Sequence, residues 1–163
     1  MRKGARLAAV AWATLAVAAY ASTARAQSTV PEVRIDGIIA HRGALQGALG
    51  LYIPISSATR LELAAGAGPS FASGTGSNVS ARADAVVHFL LDPAHRMRWS
   101  PYAGAGVGAR YDGAQPWRGV AILVAGVNAP KWKHAVPFFE AGLGGGFRIG
   151  AGLRRDEARP RTP

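Results

Sequence analysis

Eight segments of the chain alternate apolar residues with small or polar ones, and each is broken off by Gly, Pro, Asn, Asp or Ser. They run Glu32 to Arg42, Leu45 to Ile55, Thr59 to Gly68, Asn78 to Leu91, Ser100 to Tyr111, Trp117 to Val127, Ala135 to Gly144 and Gly146 to Arg154. A period of two is the mark of a strand with unlike faces, and no helical period of useful length occurs past Gln27. The links carry turn chemistry: "SGTGSN" from Ser73, "DPAHRMR" from Asp92, "DGAQP" from Asp112 and "NAPKWK" from Asn128. The first link, "RGAL" (Arg42 to Leu45), and the last, Gly144 to Gly146, are tight enough for hairpins. Such links force antiparallel neighbours, because a parallel crossover needs about a dozen residues. An open meander would leave two unpaired edges, and closing it removes both. The expected fold is all-β, an eight-stranded antiparallel up-and-down barrel.

The segment ahead of the strands has another character. "MRKGAR" leads into the apolar "LAAVAWATLAVAAYA", and "STARAQ" then puts Ala24 and Ala26 at the two small-residue positions of a cleavage site. That pattern predicts a secretory signal peptide over residues 1–26. The domain reading is therefore a leader (1–26), a short N-terminal segment (27–31), a barrel (32–155) and a charged, Pro-rich tail (156–163) expected to be disordered. The absence of cysteine removes disulfides and lipid attachment through a thiol. The leader holds four of the basic residues and no acid, so its removal lowers the net charge from +10 to +6. For an exported chain the matching anions are lipid headgroups or lipopolysaccharide phosphates rather than nucleic acid.

Sorting the strands by parity separates two chemistries. Arg60, Glu62, Ala64, Gly66 and Gly68 share one face of the third segment, against Leu61, Leu63, Ala65 and Ala67. In the fourth, Ser80, Arg82, Asp84, Val86 and His88 oppose a run of Ala, Val, Phe and Leu. Tyr102, Gly104, Gly106, Gly108 and Arg110 share a face of the fifth, Glu140 and Gly142 one of the seventh, and Arg148, Gly150 and Gly152 one of the eighth. Glycine and paired charge suit a cramped interior better than a soluble exterior, which glycine would leave bare. The expected lumen network is thus Arg60, Glu62, Arg82, Asp84, Arg110, Glu140 and Arg148, with the apolar face toward lipid. Aromatic residues near the strand ends, Trp99, Tyr102, Tyr111, Trp117 and Trp132, together with Phe71 and Phe138, read as interfacial girdles. The competing reading is a soluble periplasmic lipocalin-like barrel around an apolar ligand, with Leu49, Leu51, Leu61, Leu63, Phe139 and Leu143 turned inward.

With its leader, its eight segments, "PYAGAGVGARY" (Pro101 to Tyr111) and "PFFEAGLGGGFRIGAGLR" (Pro137 to Arg154), the chain resembles the small eight-stranded bacterial outer-membrane β-barrels, the OmpA-like, OmpX-like and OmpW-like superfamily. The resemblance implies an outer-membrane location and a periplasmic amino terminus. It also implies insertion by the outer-membrane assembly machinery, contact with membrane lipids and lipopolysaccharide, and a monomer with an envelope-structural or small-solute permeability role. It places the outward loops at 42–45, 69–77, 112–116 and 144–146, which are short. Members commonly end on an aromatic residue in the last strand; here Phe147 is that strand's aromatic and the chain ends on Pro163.

No catalytic, metal-binding or cofactor-binding residues are expected. His88, Asp84 and Ser80 share a face, yet same-face neighbours along a strand stand nearly 7 Å apart, beyond hydrogen-bond reach. His41, His95 and His134 fall at strand ends or in basic turns, and no histidine has metal-ligand spacing. "GAGVGA" lacks the helix a dinucleotide fingerprint requires. Arg96, Arg98, Lys131 and Lys133 flank Trp99 and Trp132, a pairing suited to a membrane interface. The protein is not expected to be an enzyme.

Overall fold

The computed structural model describes residues 29–71, 79–94, 97–112 and 116–155. Eight strands follow one another: β1 (Val30–Ile39), β2 (Gly43–Pro54), β3 (Thr59–Phe71), β4 (Val79–Leu90), β5 (Ser100–Tyr111), β6 (Arg118–Asn128), β7 (Ala135–Leu143) and β8 (Phe147–Arg155). Each pairs antiparallel with the next, and β1 pairs with β8 from Glu32↔Arg154 to Ile39↔Phe147. The sheet is therefore a closed barrel in sequence order. The barrel starts at Val30, two residues before the expected boundary, because Val30 and Pro31 already pair with Tyr52 and Leu51. The leader and the tail after Arg155 lie outside the described residues, as do Asn78, His95 and Arg96.

One end of the barrel carries the start of β1, the end of β8 and the links at 55–58, 91–99 and 129–134; we call it the terminal end. The other carries the short links 40–42 and 144–146. There Gly144 N–H donates to Gly146 O at 3.0 Å, and Gly145 and Gly146 adopt φ of 68° and 151°, which favour glycine.

Alternation along every strand separates the faces. Inward positions hold the buried charges together with a small apolar cluster of Val86, Ile122 and Val124 on β4 and β6. Outward positions hold large exposed apolar side chains, with Leu49 71% exposed, Val107 66% and Ile35 63%. Leu49, Leu51, Leu61, Leu63, Phe139 and Leu143 all stand on the outer face, so the inward, ligand-enclosing arrangement of the lipocalin-like reading is reversed.

The glycines of β5 answer to space inside. A Cβ on Gly108 would lie 2.6 Å from Asp84 Oδ1, and one on Gly104 would lie 2.9 Å from the His88 ring. On Gly106 it would run into the backbone of Ala85 and Val86, which cannot rotate away. Gly47, on the outer face of β2, has nothing within 4 Å. Gly106→Ala is accordingly expected to destabilise the barrel by about 1–3 kcal/mol through overpacking. Gly47→Ala should be neutral, or stabilising by up to about 1 kcal/mol through the unfolded chain. Urea midpoints of the two variants in detergent micelles check this, and equal midpoints would contradict the packing described.

Candidate functional site

The interior charges are built on alternate residues of β1, β3, β4, β7 and β8. Arg34 is the hub, fully buried on β1. Its Nε donates to both carboxylate oxygens of Asp36, at 3.1 and 3.0 Å. Its Nη1 donates to Glu62 Oε1 on β3 at 2.9 Å and to Glu32 Oε1 at 3.3 Å. Its Nη2 donates to Asp36 Oδ1 at 2.9 Å and to Glu140 Oε1 on β7 at 2.7 Å. One guanidinium thus ties three strands across the lumen.

Two further arginines extend the lattice. Arg82 on β4 donates to Asp84 Oδ2 at 2.6 Å and to Asp36 across the barrel. Arg148 on β8 donates to Asp84 Oδ2 at 2.9 Å and to Glu140 Oε1 at 2.7 Å. Because β4 and β8 face each other across an eight-stranded ring, the Arg148 to Asp84 bond spans the lumen. Ion pairs persist in such a place only when both partners are also hydrogen-bonded, and these are.

Arg154 closes the lattice toward the terminal end. Its Nε donates to Glu32 Oε2 at 2.6 Å and its Nη1 to Asn128 Oδ1 at 2.8 Å. Its guanidinium lies 3.9 Å from the Phe138 ring centroid and 4.1 Å from that of Tyr52. Stacked arginine keeps its charge while losing water, which suits a packed aromatic layer. Tyr102 completes that layer, donating to Glu140 Oε2 at 3.1 Å and stacking on His88 at 5.0 Å between centroids.

Five of the seven residues expected in the network, Glu62, Arg82, Asp84, Glu140 and Arg148, are brought together. Arg60 and Arg110 share their inward face but not their depth. Arg60 donates to the carbonyls of Ser56 and Thr59 in its own turn. Arg110, at the other end, donates to Gly145 O at 2.6 Å and to Arg42 O at 3.3 Å, tying two links together. Strand parity assigns a face and says nothing of height, and these two stand near opposite ends of the barrel. Glu32, Arg34, Asp36 and Arg154 join it unforeseen, although the first three alternate through "EVRID" by the same rule.

The aromatic assignments divide similarly. Trp99, Trp117 and Trp132 are 47%, 56% and 65% exposed, and Tyr111 packs on Trp117 at 5.9 Å between centroids. Trp99 and Trp132 stand at the terminal end, Tyr111 and Trp117 at the other. Tyr102 and Phe138 are not interfacial: they are 1% and 0% exposed, on the inward face with Gly104 and Glu140. Their parity outweighs their nearness to a strand end.

The fold also assembles what spacing along the chain did not show. Glu62, His88 and Glu140, from β3, β4 and β7, bring one ligand-type atom each within 4.8 Å of one another. Arg34 already bonds both carboxylates and Arg148 bonds Glu140, so guanidiniums hold the charge a cation would take. Ser80, Asp84 and His88 have separate partners. Ser80 Oγ accepts from Gln46 Nε2 at 2.8 Å, Asp84 accepts from Arg82 and Arg148, and His88 Nε2 lies 3.2 Å from Glu62 Oε2.

A solved structure described as the de novo design of transmembrane β-barrels is similar, with a TM-score of 0.53 over 80% of this chain and 97% of that one. The likeness is one of fold. Identity between the two is 13%. No family model and no curated protein matches the chain. The resemblance to OmpA-like, OmpX-like and OmpW-like barrels therefore holds at the level of an eight-stranded antiparallel barrel.

Proposed function

We propose that the chain is an integral bacterial outer-membrane β-barrel with an envelope-structural role, its lumen closed by the arginine–carboxylate lattice rather than open to solutes. One observation carries the reading. Among the described residues, no outward position on any of the eight strands bears a charge until Arg155, the last residue of β8. An apolar surface that continuous is a liability in water and a match for hydrocarbon. Strands of 9 to 13 residues, tilted, suit the roughly 25 Å apolar band of such a membrane. The two exposed aromatic groups stand where the interfaces would be.

Lipid and lipopolysaccharide are the partners this surface fits, and residues 1–26 supply the export signal the reading requires. The test is the mature protein refolded into lipid vesicles. It should run with different mobility on boiled and unboiled detergent gels, and in planar bilayers it should show no steady conductance. Absence of the mobility shift would overturn membrane insertion. A persistent open channel would overturn the closed lumen alone.

A further inference from the structure

Above the Arg154 layer the terminal end opens into a cavity of about 390 Å³, within the usual size range of small-molecule sites. Among the described residues that line it, Arg60, Arg98, Lys131, Arg154 and Arg155 are basic and none is acidic. Asp92, in the adjoining link, is buried and accepts the Met97 N–H at 2.7 Å. The floor is pre-organised, because Glu32, Asn128, Tyr52 and Phe138 fix the Arg154 guanidinium. Three N–H groups of Arg154 are engaged by Glu32, Asn128 and Tyr102, and its Nη2 also lies 3.6 Å from Glu62 Oε2. Tyr52, Val30, Leu90 and Val136 give the rest of the wall an apolar character.

We infer that this mouth is a binding site for a phosphate ester of headgroup size, its phosphate set among the arginines and its organic part against the apolar wall. The sign and convergence of the charges select an anion, since a cleft of one sign with low-dielectric walls focuses its field on a counter-charge. Guanidinium geometry favours phosphate, whose oxygens accept paired N–H donors. The wall argues for an ester over the bare ion. The cations at the mouth also oppose entry of a metal toward Glu62, His88 and Glu140, so the two ligand classes do not compete for this route.

The site is tested in non-ionic detergent micelles, and the measurement does not depend on membrane insertion. Calorimetric titration with glycerol 3-phosphate, and separately with micelles doped with phosphatidylglycerol against phosphatidylcholine, should show saturable binding of about one ligand per chain that weakens as salt is raised. Saturation by glycerol 3-phosphate identifies a soluble ester as sufficient. Saturation by phosphatidylglycerol alone identifies the lipid headgroup. The Arg98→Glu, Arg155→Glu variant changes two exposed residues outside the lattice. It should keep the wild-type urea midpoint and bind about tenfold more weakly or worse, having lost two charge contacts. No saturable binding of either probe, or undiminished binding by that variant, would overturn the inference.

Discussion

A Leu49→Arg protein is expected to fail to assemble in lipid vesicles while the Leu49→Ala protein assembles. Leu49 is 71% exposed at the middle of β2, paired with Val33 on β1 and Ala65 on β3. No outward position of β1, β2 or β3 carries an acid with which the new guanidinium could pair. An arginine on the lipid face near the midplane costs about 2–4 kcal/mol, roughly a 30- to 1,000-fold loss in the folded ratio. The two environments predict opposite signs. In water, a charge replacing a leucine this exposed would relieve an apolar patch and raise solubility. The measurement is the fraction of refolded protein with altered mobility before boiling, with Ser57→Arg in the exposed β2–β3 link as the control for added charge. Assembly of Leu49→Arg equal to wild type would place this face in water and reverse inside and outside.

Much of the wall was legible because alternation is a local property. The inward face of "SARADAVVH" in β4 is marked by Ser80, Arg82, Asp84 and His88, and the structure places all four inside. The antiparallel order followed from link length in the same way. Depth and cross-lumen contact are different, because they depend on how far each strand is staggered when the sheet closes. Arg60 and Arg82 look alike in the sequence, yet one meets turn carbonyls and the other Asp36. Arg154 shares the parity of Arg148 in the eighth segment, but its bond to Glu32 depends on how β8 closes onto β1, which the sequence does not show. The pattern put the β5 glycines in a cramped interior, and the closed sheet shows what they leave room for, His88 and Asp84 on the adjoining strand.

The interior lattice makes the second large prediction. Arg34→Met should destabilise the barrel by about 3–5 kcal/mol, the cost of removing one partner from a buried ion cluster. The lattice pairs four guanidiniums (Arg34, Arg82, Arg148, Arg154) with five carboxylates (Glu32, Asp36, Glu62, Asp84, Glu140), and the substitution leaves three against five. The damage is unevenly shared. Glu140 keeps Arg148 and Tyr102, Asp36 keeps Arg82, and Glu32 keeps Arg154 at 2.6 Å. Glu62 loses its 2.9 Å partner and retains only Arg154 at 3.6 Å and the His88 imidazole at 3.2 Å. Adding Glu62→Gln to Arg34→Met should therefore recover more stability than adding Glu140→Gln, because the amide removes the stranded charge in one case and an already paired one in the other. The urea midpoints of this double-mutant set in micelles decide it. Equal midpoints for wild type and Arg34→Met would mean that water, not Arg34, solvates these carboxylates, and the closed lumen would fall with the lattice.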